Sequence, residues 1–159
     1  MLNLRILLSV ILLLFLAEKS ISQTKTNYLE IAKFVDGDTF WVRNPNGKDE
    51  KIRLIGVNTP EARNTGRTQV EYFGKEASAY VKELLTGKKV RIEFDVQRFD
   101  RYKRTLAYIF LEDGTFLNAH LVKEGYATVA TYPPNVKYAD LFVKLEKEAR
   151  AQGKGLWGK

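Results

Sequence analysis

The run Ile52-Arg53-Leu54-Ile55-Gly56-Val57-Asn58-Thr59-Pro60-Glu61 sets one charge, Arg53, inside an apolar stretch. In a strand, residues 52 and 54 point to one face and 53, 55 and 57 to the other. Both faces carry apolar side chains, which predicts a strand over Lys51 to Val57 buried on both sides. A guanidinium there is costly unless it is paired or meets an anion. Pro60 cannot donate a ladder hydrogen bond and biases Thr59 toward extended backbone, so the strand stops at Asn58-Thr59. Glu61 then follows on a stiff segment. An arginine and a carboxylate fixed by one rigid element suit work on a phosphate. A buried Arg53–Glu61 ion pair closing a barrel strand accounts for the same residues, and on this stretch alone it is the simpler reading.

The rest of the chain reads as short strands and three helices. Thr26 to Val35 predicts a first strand, and Asp36-Gly37 is a hairpin-turn signal. Thr39 to Val42 is aromatic and β-branched, which predicts a second strand. Val90 to Phe94 alternates and predicts a fourth strand; Thr105 to Leu111 predicts a fifth. Lys75 to Leu85 carries an apolar helical stripe ended by Gly87. Leu117 to Glu124 is a short helix, Thr128 to Tyr132 a short extended piece, and Tyr138 to Gln152 an amphipathic helix with Trp157 packing back. Ala62 to Glu71 has no periodicity and reads as an exposed polar loop, a candidate flap. The sum is a mainly β chain with helices (α+β): a five-stranded OB-type barrel, one helix after strand three, and two further C-terminal helices.

Charge narrows the partner. Twenty-six Lys and Arg against 19 Asp and Glu give a net charge of +7, which favours an anionic partner. The absence of cysteine excludes disulfides, thiol catalysis and cysteine zinc sites, and the one histidine excludes a His-cluster metal site. That residue, His120, has no evident partner and reads as surface or packing. Residues 1–22 read as a secretory signal peptide: a weakly positive start, an apolar Ile6 to Ala17, and a small-x-small Ser20-Ile21-Ser22 before the expected cleavage. Residues 23–159 are then one domain, acting outside the cytoplasm as a secreted or periplasmic monomer with no membrane association after cleavage.

Three motifs occur in order: Val35-Asp36-Gly37-Asp38-Thr39, then Arg53 to Glu61, then Asp100-Arg101-Tyr102-Lys103-Arg104-Thr105-Leu106-Ala107-Tyr108. With the terminal Gly153-Lys154-Gly155-Leu156-Trp157, this set resembles the staphylococcal nuclease-like (thermonuclease) family across essentially all of residues 30–158. The resemblance implies an OB-type barrel and calcium-dependent cleavage of DNA and RNA, single-stranded or frayed. It implies that Arg53 and Arg104 bind phosphate and that Glu61 is the general base. It implies that Asp38, Asn58 and the Thr59 carbonyl hold Ca²⁺; Asp36, at the same turn, is a candidate to stand behind them. Tyr102 and Tyr132 match tyrosines near the bound nucleotide.

Two positions depart from the family's pattern. Asn58 stands where an aspartate is usual, which removes one negative charge from the calcium site. Lys103 stands where glycine is usual; if that turn needs a positive φ, lysine adopts it at some cost. The rival reading is a non-catalytic nucleic-acid-binding OB module whose metal site has decayed at Asn58. A general base such as Glu61 has no use in a pure binder.

Overall fold

The computed structural model describes residues 27–66 and 68–158. The expected signal peptide, residues 1–22, lies outside the described residues, as does the start of the expected first strand. In chain order the elements are β1 (Leu29–Asp36), β2 (Thr39–Arg43), β3 (Asp49–Leu54), β4 (Gly56–Asn58) and α1 (Gly74–Leu85). They continue with β5 (Lys89–Glu93), β6 (Thr105–Leu111), α2 (Leu117–Lys123), β7 (Thr128–Ala130) and α3 (Ala139–Ala151), ending in a 3₁₀ turn, Gly155–Trp157.

Five strands close a barrel in the order β1-β2-β3-β6-β5, with β5 returning to β1. All neighbours are antiparallel except β3 and β6, which run parallel. Period-two alternation fills the interior: Phe40 faces Ile52, Leu54 faces Ala107, and Val90 faces Leu111, all buried. The odd residues of β6 therefore point inward. Tyr108 is also buried, but on the other side, edge-on to Tyr138 and near Phe142 and Phe116, where α2 and α3 cover the barrel. The predicted α+β barrel with three helices is thus the architecture found.

The predicted third strand is split. β3 ends at Leu54; β4 turns away and pairs with β7 in a separate two-stranded sheet. The break is at Gly56, whose φ is 77° and whose absent Cβ would lie 2.5 Å from the Phe142 ring. Only glycine takes that backbone conformation and that contact at no cost. The break matters because it aims Asn58, Thr59 and Glu61 back across the end of β3.

Candidate active site

The two strand ends that carry the first two motifs meet at one edge of the barrel. Gly37 allows it: a Cβ there would be 2.7 Å from Thr59 Oγ1, so the β1–β2 turn lies directly on the residue after β4. Asp38 then stitches the turn to the strand. Its Oδ2 accepts the Thr59 N–H at 3.0 Å, its Oδ1 accepts the Thr39 hydroxyl at 2.9 Å, and its carbonyl accepts the Leu54 N–H at 3.0 Å.

Arg53 lies between inward-facing Ile52 and Leu54, so alternation sends its side chain out of the barrel toward this edge. It does not pair with Glu61. Its Nη2 lies 3.1 Å from Asp38 Oδ2 and donates to Asn58 Oδ1 at 3.0 Å, while Nη1 donates to the Leu54 and Val57 carbonyls at 2.7 and 2.8 Å. The expected Arg–Glu pair is replaced because the β1–β2 turn delivers a nearer carboxylate. Of the five guanidinium N–H groups, only Nε–H is left uncommitted by these contacts.

Glu61 lines a cleft of about 260 Å³ together with Asp36, Asp38, Arg53, Asn58 and Arg104. Burial pushes its carboxyl above the ordinary value; Asp36, Asp38 and Glu71 add to the shift and Arg53 opposes it. Asp36 is also pushed up by burial, against the Gly37 N–H that stabilises its charged form. The backbone of Glu61 is held by Glu71, whose Oε2 accepts the Glu61 N–H at 3.0 Å and whose N–H reaches the Glu61 carbonyl at 2.9 Å. These two bonds close a neck where the chain leaves Glu61 and returns at Glu71, with Glu61 at one side of it.

Arg104 reaches the cleft from the start of β6. Its Nε donates to Asp100 Oδ2 at 2.7 Å, which leaves its Nη groups for a ligand. Asp100 also accepts the Tyr102 and Arg104 N–H groups at 2.8 and 2.9 Å. Burial alone would raise the Asp100 pKa, but these donors hold it below the usual carboxylate value. Lys103 does take a positive φ, 61°. Arg104 nonetheless lines the cleft, because Asp100 fastens the turn on both sides of Lys103.

Tyr102 and Tyr132 line a second cavity of about 490 Å³, adjoining the first through Arg53 and floored by Ile55 and Val57. Both rings are largely exposed, 56% and 76%. Tyr102 also lies 5.5 Å from the Arg104 guanidinium carbon. Seven of the eight residues singled out from the sequence line these cavities, Asp38, Arg53, Asn58, Glu61 and Arg104 the polar cleft and Tyr102 and Tyr132 the apolar one, while Thr59 is buried next to Asp38, to which its N–H donates. Lys51 and Asp100 were missed. The signal for Asp100 was an aspartate four residues before a positioned arginine at a turn.

The staphylococcal nuclease homologue family matches residues 51–159. The chain is 41% identical over 140 residues to a thermonuclease of Staphylococcus intermedius, covering 88% of this chain and 82% of that protein. The chain belongs to the staphylococcal nuclease family. A thermonuclease of Staphylococcus hyicus is 41% identical over 86% of this chain and 79% of its own length. Endonuclease YncB of Bacillus subtilis (strain 168) is 39% identical over 87% and 65%. As a member of this family the chain is a nuclease, a hydrolase of phosphodiester bonds. The family is metal-dependent.

The donors at the cleft suit a hard cation. Carboxylates of Asp36, Asp38 and Glu61 and the amide oxygen of Asn58 line it, with no sulfur or imidazole ligand. Among the described residues no group of three or more His, Cys, Asp or Glu is close enough to make a cage by itself.

Proposed function

We propose that the chain hydrolyses single-stranded or frayed DNA and RNA with Glu61 as general base, Arg104 and Arg53 on the phosphate, and Ca²⁺ as the metal. The observation that carries the reading is the convergence of a carboxylate and two guanidinium groups on one solvent-reached cleft. The net charge of +7 suits an anionic polymer. Asp38, Asn58 and the Thr59 carbonyl would hold the ion, which would supply Lewis-acid polarisation of the phosphate.

The residues divide the work by geometry. Glu61, fixed at the neck of its loop, accepts a proton from a water in line with the scissile bond. Arg104, with Nε on Asp100, presents its remaining N–H groups to the phosphate and stabilises the charge that builds up there. Arg53 yields Nη2 to a phosphate oxygen only in exchange for Asp38 or Asn58, so its first duty is to hold those two oxygens in register. Tyr102 and Tyr132 offer faces for a base beside the cleft.

Residues 1–22 act as a cleaved secretory signal peptide, which puts the single domain 23–159 outside the cytoplasm; the monomer is the default state for such a domain. The apolar run Ile6 to Ala17 in the sequence supports this.

The test is cleavage of a labelled single strand by the purified chain, titrated from chelator to millimolar Ca²⁺. Cutting that appears with Ca²⁺ and is abolished by chelator is the expected result. Binding without cutting at every Ca²⁺ level would instead support a non-catalytic module.

A further inference from the structure

The segment that joins β5 to β6 carries a surface that the cleavage chemistry does not use. Phe94, Val96 and Phe99 are 37%, 75% and 51% exposed along it. Arg98 lies over the rings, its guanidinium carbon 4.0 Å from the centre of Phe94 and 6.0 Å from that of Phe99. Arg98 is itself exposed, with its guanidinium set against the Phe94 ring.

The backbone beneath this surface is fixed. Leu106 donates to the Arg98 carbonyl at 2.9 Å, and Phe99 bridges Thr105. The Gln97 N–H and carbonyl are both held by the Asn135 amide, at 2.7 and 2.8 Å, and Gln97 Nε2 donates to the Phe99 carbonyl at 2.7 Å. The rings are thus presented by an ordered frame, which lowers the entropy lost on binding. The same segment runs into the larger cavity: Gln97 and Arg101 line it, whereas Phe94, Arg98 and Phe99 lie outside it.

We propose that Phe94, Arg98 and Phe99 form an outer track for single-stranded nucleic acid, stacking bases that lie beyond the nucleotide held in the cleft. The proposal rests on the reading of the cleft as the cleavage site. Every base has a flat face, so aromatic rings and a guanidinium plane bind a strand without regard to sequence. Cations accompany the rings: among the described residues no carboxylate pairs with Arg98, Arg101 or Lys103. A row of rings and unpaired cations, continuous with a cavity that takes a nucleotide, suits a strand with splayed bases. A duplex keeps its base faces stacked internally and gains nothing here.

The consequence is a dependence on substrate length. A strand of about three nucleotides fills the cleft alone, whereas one of about twelve also reaches the track, within the site sizes found for single-strand binders. Binding of both lengths is measured by fluorescence anisotropy in chelator, and KM for both is measured with Ca²⁺. For Phe99→Ala and Arg98→Ala the longer strand is expected to bind about tenfold more weakly, with its KM raised alike and the shorter strand little changed. Phe99→Trp restores binding; Phe99→Leu, which keeps apolar volume without a flat ring, does not. Arg98→Lys keeps the charge but loses the plane and most of the affinity.

Equal losses for both lengths, or no loss for the longer strand, would overturn the proposal. So would a self-associating chain that Phe99→Ala renders monomeric while strand binding is unchanged. Cleavage that survives with unaltered length dependence would sink the track and leave the cleft reading standing. A chain that never cuts, yet loses affinity for the longer strand in Phe99→Ala, would do the reverse.

Discussion

Two regions of this molecule bury ionisable groups, and they do so differently. At the barrel edge, Asp36, Asp38 and Glu61 share a cleft with Arg53 and Arg104. On the far side, between α1 and α2, Tyr80 stacks on Tyr126 at 3.8 Å and its hydroxyl meets His120 Nε2 at 2.7 Å. Burial disfavours charge in both places: Glu61 and Asp36 are pushed up, His120 is pushed down. At the edge, a guanidinium and a backbone N–H oppose the shift, and the cleft opens to solvent. At the α1–α2 face, among the described residues, no carboxylate is paired with the ring, and burial beside Tyr80 disfavours the charged imidazole. A perturbed titration therefore does not by itself mark a site. Convergent partners around an open cleft do.

The comparison sharpens first at Asn58. Asn58→Asp restores a full negative charge beside Asp38, and the Ca²⁺ concentration for half-maximal cleavage is expected to fall about tenfold. An unchanged calcium requirement would mean that residue 58 is no ligand and that its amide serves only to hold Arg53.

The next effect is on stability near the cleft. Lys103 holds φ at 61°, a conformation costing about 1–2 kcal/mol for a residue with a Cβ. Lys103→Gly removes that strain but adds freedom to the unfolded chain. A gain of about 0.5–1 kcal/mol in denaturant unfolding is expected. A loss would show that Asp100 and its neighbours fit the turn to lysine.

The smallest effect lies at the other region. His120 has a folded pKa below its unfolded value of 6.5, so the unfolded chain binds more protons in acid. Its stabilising contribution is complete above about pH 6.5 and is lost as pH falls below that value. Glu124 and Asp113 favour its charged form, Lys123 and Lys154 oppose it, and burial outweighs them all. His120→Gln should flatten the dependence of unfolding free energy on pH between about 5 and 7 without changing cleavage. An equally steep dependence in that variant would assign the slope to other groups.

The barrel was legible because alternation writes itself residue by residue: Phe40, Val42, Ile52, Leu54 and the odd residues of β6 are where period two put them. The split at Gly56 was not. It depends on Phe142, contributed by a helix far along the chain. The same holds for partners. That Asp38 rather than Glu61 pairs with Arg53 follows from the turn at Gly37 packing on Thr59. His120 read as unpartnered because Tyr80 lies on another helix. At the site, residue types and order could be read in advance, as could the strained Lys103. Hydrogen-bond partners set by tertiary packing could not.

The most direct measurement is the turnover of Glu61→Gln on a short single strand at saturating Ca²⁺, alongside its KM and its thermal midpoint. Removing a general base is expected to lower kcat by about 10²–10⁴, with KM and midpoint close to the unsubstituted chain. A kcat within a few-fold of the original, with folding intact, would contradict the account and move the base elsewhere in the cleft.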